Sequence, residues 1–185
     1  LKKNPLGKVP TFEKDGEIVY DSAVVLEYLD GIYPDSAILP TDPYLRAQSR
    51  MLIERTAPLA SSFFGLFIIH SEKIEGAERE AKIKAVEEAI DSIEKLITEP
   101  FFGGNSAGFV DYLILPFFER VAHISPLLSI PSPFPSSDRW PGLSSWFGRC
   151  CALPAAVAAM QPAAYHQGFI KTFVIGKSAD CDFGI

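Results

Sequence analysis

The apolar positions of this chain fall into two regimes: short extended runs over residues 9–20, then spacings of three and four almost to the end. Val9 to Lys14 and Glu17 to Tyr20 flank Asp15-Gly16, a pair that tolerates positive φ, so residues 9–20 read as a β-hairpin. Val24, Val25, Tyr28, Leu29 and Ile32 make an apolar stripe, predicting a helix from Ser22 to Tyr33 that Pro34 ends. After a linker, Asp42-Pro43 is a natural helix start, and residues 43 to about 70 read as one helical stretch bent near Pro58. Ile83, Val86, Ile90, Ile93 and Ile97 predict an amphipathic helix over 78–98. Phe101-Phe102-Gly103-Gly104 is a break. The run Val110, Leu113, Ile114, Phe117, Phe118 and Val121 predicts a central helix, apolar round much of its girth and kinked at Pro116. The Pro- and Ser-rich stretch 125–137 reads as a loop. Shorter helices are predicted over 141–152, 154–161 and 166–174, and no internal repeat is visible.

The pattern divides the chain into a strand-strand-helix unit (1–34), a linker (35–42) and an all-helical domain (43–185), an α+β protein. A lone hairpin and one helix make a poor domain, because two strands are marginal in water. The chain also opens on Leu1 rather than Met. The expectation is that further structure belongs upstream and that the sequence is a fragment.

Composition narrows the function. With 48% hydrophobic residues in 185, a sizeable core can form. A formal net charge of −6 argues against nucleic acid, which wants clustered Lys and Arg. No apolar run approaches the roughly 18 residues of a membrane span; Phe63 to Ile69 comes nearest and is interrupted by Gly65. Cys150, Cys151 and Cys181 fit neither a disulfide framework nor a zinc site, so no metal is expected and a reducing cytoplasm is the simplest setting. They read as structural thiols, with a redox role for the adjacent pair as the alternative.

Two short motifs carry chemistry. If the Val9-Pro10 bond is cis, the Val9 backbone turns outward and can pair with an extended peptide like an added strand. A trans bond at a strand start is the ordinary alternative. Tyr20-Asp21-Ser22 directly precedes a helix, whose free N–H groups and positive dipole end attract a carboxylate. Ser22 adds a hydroxyl, and Asp21 adds a charge that suits an ammonium group. Alternatively, Ser22 is simply an N-cap. Taken together, the two motifs describe a site for a short peptide with an amino-acid end.

At this point the residues resemble a glutathione transferase. Asn4-Pro5-Leu6-Gly7-Lys8-Val9-Pro10, Tyr20-Asp21-Ser22, Glu27-Tyr28-Leu29 and Tyr33-Pro34 are similar to the second half of its thioredoxin-like domain. Phe101-Phe102-Gly103-Gly104-Asn105-Ser106, Asp111-Tyr112-Leu113-Ile114, Phe118-Glu119-Arg120 and Cys181-Asp182-Phe183-Gly184 resemble the omega class. The resemblance covers nearly the whole chain. It implies a cytoplasmic homodimer that uses glutathione to reduce mixed disulfides and dehydroascorbate; some members also reduce methylated arsenic species. It implies that Val9 pairs with the cysteinyl part of glutathione, that Pro10 is the cis-proline, and that Asp21 and Ser22 hold the γ-glutamyl end. Phe117, Arg120, His166 and Phe173 match positions at the pocket for a second substrate, whether small electrophile, disulfide or dehydroascorbate. Core packing is the alternative for Phe117 and Phe173, and a solvated helix position is the alternative for His166.

The chain departs from the family pattern at Asp21, usually Glu, at Gly108, usually a Ser or Thr cap, and at His166, usually Trp. The class nucleophile is a cysteine opening the first helix, where the helix dipole favours thiolate. It is expected upstream of Leu1, so residues 1–185 as written are expected to be inactive. A non-catalytic binding or interaction module of the same fold is the competing reading. The related chloride intracellular channel family is disfavoured, because its acidic loop before Phe101 is missing.

Overall fold

The computed structural model describes residues 3–130, 133–136 and 138–173. Thr11–Lys14 (β1) and Glu17–Tyr20 (β2) pair antiparallel, with Thr11 opposite Tyr20 and Lys14 opposite Glu17. Asp15 and Gly16 turn the chain at φ 52° and 85°, as a tight Asp-Gly hairpin turn requires. The Val9-Pro10 bond is cis, and the strand starts at Thr11 rather than Val9, because proline has no N–H for the ladder.

Ser22–Ile32 forms helix α1, followed by a single 3-10 turn, Pro34–Ser36. Most of the predicted stripe packs inward, but Val24 is 53% exposed. The linker is tied down by one buried side chain. The Asp30 carboxylate accepts from the backbone N–H groups of Ile38 and Leu39. An ion pair between Glu27 and Arg50 adds a second tie, to the next helix.

Among the described residues, the rest of the chain is mainly helical: α2 (Pro43–Glu72), α3 (Gly76–Glu94), α4 (Phe109–Ile124), α5 (Pro141–Cys151), α6 (Pro154–Ala159) and α7 (Ala163–Thr172). Asp42 caps α2 by accepting from the Leu45 N–H at 2.9 Å, and Pro43 occupies the first turn, where its missing N–H costs nothing. Pro58 lies inside α2 without ending it. By length and hydropathy α2 is apolar enough to cross a membrane, but here Leu59, Phe63, Leu66 and Phe67 bury against α3, α4 and α7, as in the core helix of a globular domain. The predicted α4 is central as expected, lying against α1, α2, α5 and α7.

The start of α4 is organised by Asp111, which is fully buried. Its carboxylate accepts from Phe102 N–H at 2.9 Å, Gly103 N–H at 3.1 Å, Gly108 N–H at 2.8 Å and Trp146 Nε1–H at 2.8 Å. Gly108, at the N-cap, has no side chain to return the bond, so Asp111 alone closes this turn. The loop before it is tight: a Cβ on Gly103 would lie 2.6 Å from the Ser106 carbonyl oxygen, a contact only glycine avoids.

Helix α5 has no cap of its own. Glu94 at the end of α3 supplies it, accepting from Gly142 and Leu143 N–H, each at 2.8 Å. Nearby, Asp91 accepts from Trp140 Nε1–H at 2.6 Å and pairs with Arg139. Burial pushes the Asp91 carboxyl up, but the hydrogen bonds from Arg139 and Trp140 outweigh it and hold it below its ordinary value.

The described residues of the 125–137 stretch are irregular as predicted, and they join the core: Leu128, Ile130 and Phe134 are buried, and the Phe134 ring packs 4.9 Å from Phe118 and 5.3 Å from Phe147. The last helix begins three residues earlier than the pattern predicted, at Ala163, just after Pro162.

Asp111→Ala leaves four buried or half-buried N–H groups without their acceptor, and the expected cost is above about 3 kcal/mol. Thermal unfolding should shift down by roughly 6 °C or more; a shift below about 2 °C would show that water replaces the carboxylate freely.

Candidate functional site

The loop from Asn4 to Thr11 is shaped by one buried amide. Asn4 is 4% exposed, and its Nδ2 donates to the Lys8 carbonyl at 2.8 Å and to Thr11 Oγ1 at 3.0 Å. Its Oδ1 accepts from Leu6 N–H at 3.0 Å, and its own carbonyl accepts from Gly7 N–H. Gly7 sits at φ 63°, a conformation that suits a residue with no Cβ. The result is a fixed loop with Val9 standing out at 90% exposure, directly before the cis Pro10.

The hairpin register then sets the second motif beside the first. Because Thr11 faces Tyr20, Pro10 and Asp21 lie at the same open end of the two-stranded ladder. Asp21 holds φ 81°, ψ 132°, a strained conformation for a residue with a side chain. Its Oδ1 accepts from Ala23 N–H at 3.1 Å and Val24 N–H at 3.4 Å. Asp21, rather than Ser22, is therefore the N-cap of α1; Ser22 is the first helical residue, exposed at the positive end of the helix. The arrangement can present Val9 backbone groups, a hydroxyl, helix N–H groups and a carboxylate to one ligand.

The four residues matched to a second-substrate pocket do not behave alike. Phe117 and Phe173 are half-buried on an aromatic cluster of α2, with ring centroids 5.9 Å from Phe63 and 5.1 Å from Phe67 respectively. Arg120 donates from Nη1 to the Pro116 carbonyl at 2.7 Å. His166 is buried, not a solvated helix position, and its Nε2 lies 3.0 Å from Glu119 Oε1. The rings of His123 and His166 stack at 5.3 Å.

Sequence reasoning passed over Asn4 and Glu119 as functional residues. A polar side chain between Lys3 and Pro5 gives little sign of burial, and Glu119 and His123 become a pair only through their four-residue spacing on one helical face. The thiols are unsuited to nucleophilic work. Burial pushes Cys150 up to about 12, and burial with the nearby Glu119 charge pushes Cys151 up as well. Cys181 lies outside the described residues.

Comparison with known proteins shows what the chain as a whole is similar to. The family model described as glutathione S-transferase, N-terminal domain, matches residues 1–37, and the one described as glutathione S-transferase, C-terminal domain, matches residues 56–154. A probable glutathione transferase omega-2 of Caenorhabditis elegans is 36% identical over 99% of this chain and 73% of its own length. Glutathione S-transferase omega-1 of Sus scrofa is 30% identical over all of this chain and 74% of its own length. The crystal structure of a Tau-class glutathione S-transferase from Mangifera indica superposes with a TM-score of 0.76 at 27% identity, covering 92% of this chain and 78% of the other.

Asn4→Ala removes the buried amide that ties the loop together. It should cost about 1–2 kcal/mol and speed hydrogen exchange at the Leu6 N–H, which donates to it. Unchanged exchange at Leu6 would mean the loop is held by something else.

Proposed function

We propose that this chain, which belongs to the omega class of the glutathione S-transferase family, binds glutathione at the open end of its hairpin and serves glutathione-dependent thiol-disulfide exchange in the cytoplasm. The observation that carries the reading is the register that puts Val9-Pro10 and Asp21-Ser22 side by side, with a strained Asp21 at the mouth of α1. Strain of that kind costs about 1–3 kcal/mol and persists where function needs the geometry. In this reading the Val9 N–H and C=O pair with the cysteinyl unit, the N-terminus of α1 and Ser22 hold the γ-glutamyl carboxylate, and the free oxygen of Asp21 attracts the ammonium. Phe117, Arg120, His166 and Phe173 border the second-substrate side. Because His166 is buried while the other three are half-buried, the two phenylalanines and Arg120 are the ones that would meet the co-substrate, a small electrophile, a disulfide or dehydroascorbate.

The chemistry is exchange between sulfurs. A protein thiolate attacks the glutathionyl sulfur of a mixed disulfide, R–S–SG, forming protein–S–SG and releasing RS⁻. A glutathione thiolate then attacks the protein sulfur's partner, giving oxidised glutathione and restoring the protein thiolate. Burial holds Cys150 and Cys151 above the ordinary thiol range, so the reactive thiol of this reading is neither of these two. The same fact favours the second reading, a glutathione-binding module without catalysis. Intact mass of the native gene product, followed by a thioltransferase assay, separates them: glutathione binding with turnover supports the enzyme, and binding without turnover supports the module.

We also propose a homodimer through the side of α1 and α2 that the fold leaves open. Val24 and Met51 are 53% and 65% exposed, and they flank a groove of about 340 Å³ also lined by Ala23, Glu27, Leu39 and Arg50. Light scattering should give two chains per particle and Met51→Glu should shift it toward one; a wild-type monomer would refute the dimer.

Asn caps a helix as well as Asp does, so Asp21→Asn should leave stability nearly unchanged while weakening glutathione about tenfold or more, through loss of a charged hydrogen bond. Ser22→Ala should weaken it roughly two- to tenfold. Titration calorimetry on the folded chain measures both; equal affinity for all three proteins would remove this site.

A further inference from the structure

We propose that Glu119, His123 and His166 form a site for a divalent transition-metal ion, Zn²⁺ foremost, where α4 meets α7. One ligand atom from each of the three lies within 4.8 Å of the other two. Two imidazole nitrogens with one carboxylate oxygen are a donor set that suits zinc and its neighbours. An ion held at bond lengths of about 2.0–2.2 Å spaces tetrahedral donors roughly 3.3–3.6 Å apart. The His166 Nε2 to Glu119 Oε1 separation of 3.0 Å is therefore already within a few tenths of an ångström of what two ligands of one ion need.

The placement follows from the fold. Glu119 and His123 are four residues apart on α4 and so share a face. His166 comes from the second turn of α7, which packs on that face. Glu119 and His166 are each 6% exposed, while His123 is half-buried. His123 is thus the ligand on the solvent side, and its ring is the one that must turn out of the stack on His166 to complete the set.

The surroundings favour a cation. Glu119 Oε1 accepts from the Gln161 N–H and lies beside the His166 ring, 3.0 Å from its Nε2. The Gln161 N–H, at 2.9 Å from Oε1, also fixes its orientation, as outer partners of metal ligands do. His123, four residues along the same face, brings its ring against that of His166 at 5.3 Å. Arg120 is the opposing charge nearby, and its bond to the Pro116 carbonyl aligns it along α4. The cysteine spacings gave no sign of such a site because its ligands are not cysteines, and 47 residues separate Glu119 from His166.

Cobalt(II) titration of the full chain, stripped of metal with a chelator, tests the site. Expected are one equivalent of visible cobalt bands without a thiolate charge-transfer band, and their loss when Zn²⁺ is added. His123→Gln and Glu119→Gln should each weaken binding at least tenfold. His123→Gln leaves the Glu119–His166 pair in place, so its circular dichroism and metal-free melting should match wild type, while the rise in melting temperature that Zn²⁺ gives wild type disappears. The proposal is overturned if no cobalt bands appear, if both variants bind like wild type, or if a thiolate band appears that Cys151→Ser abolishes.

Discussion

The Asp111 carboxylate holds two backbone segments and one indole against each other, and the geometry of the helical domain depends on that junction. It joins the Phe102-Gly103 turn, the start of α4 and the Trp146 ring of α5 through four hydrogen bonds, with no exposure to water. A buried charge is tolerated only when its lone pairs are filled, so the turn, the helix start and the indole must all be in place together. The glycines at 103 and 108 make this possible. One lets the turn approach backbone closely, and the other leaves the N-cap to be served by Asp111 alone.

The same device recurs along the chain. Asp30 fixes the linker by accepting from Ile38 and Leu39, Asp42 starts α2, Glu94 caps α5, and Asp21 starts α1. In each case a carboxylate fills backbone donors that a helix or turn leaves open. Apolar burial supplies the bulk of the stabilisation, through layers such as Leu59, Ile90, Phe118, Leu143 and Ile170. The carboxylates decide which arrangement of those layers is adopted.

The two ends of the helical contact network differ in character. The hairpin end is exposed at Val9 and strained at Asp21. The α4–α7 contact is the opposite: buried, with charges and rings turned toward each other. Helix α4 links the two regions, because α1 leans on it at one side and α7 at the other. The aromatic cluster of Phe63, Phe67, Phe117, Phe169 and Phe173 occupies the space between α2, α4 and α7.

The sequence by itself determined the hairpin, the order of the helices and the pairing of motifs at Val9-Pro10 and Asp21-Ser22. Those features rest on local chemistry: a turn pair that accepts positive φ, apolar spacings of three and four, and prolines and acids at helix starts. Tertiary structure decided what the chain could not state locally. It made Asp21 rather than Ser22 the cap, because the strand register delivers Asp21 to the mouth of α1. It drew the Pro- and Ser-rich stretch into the core, because Phe134 found a space among Phe118, Trp140 and Phe147. It buried Asn4, and it brought His166 back across 47 residues to Glu119. Spacing along a helix predicts which side chains share a face; which other face meets it depends on how the layers pack, and that is set by the whole core at once.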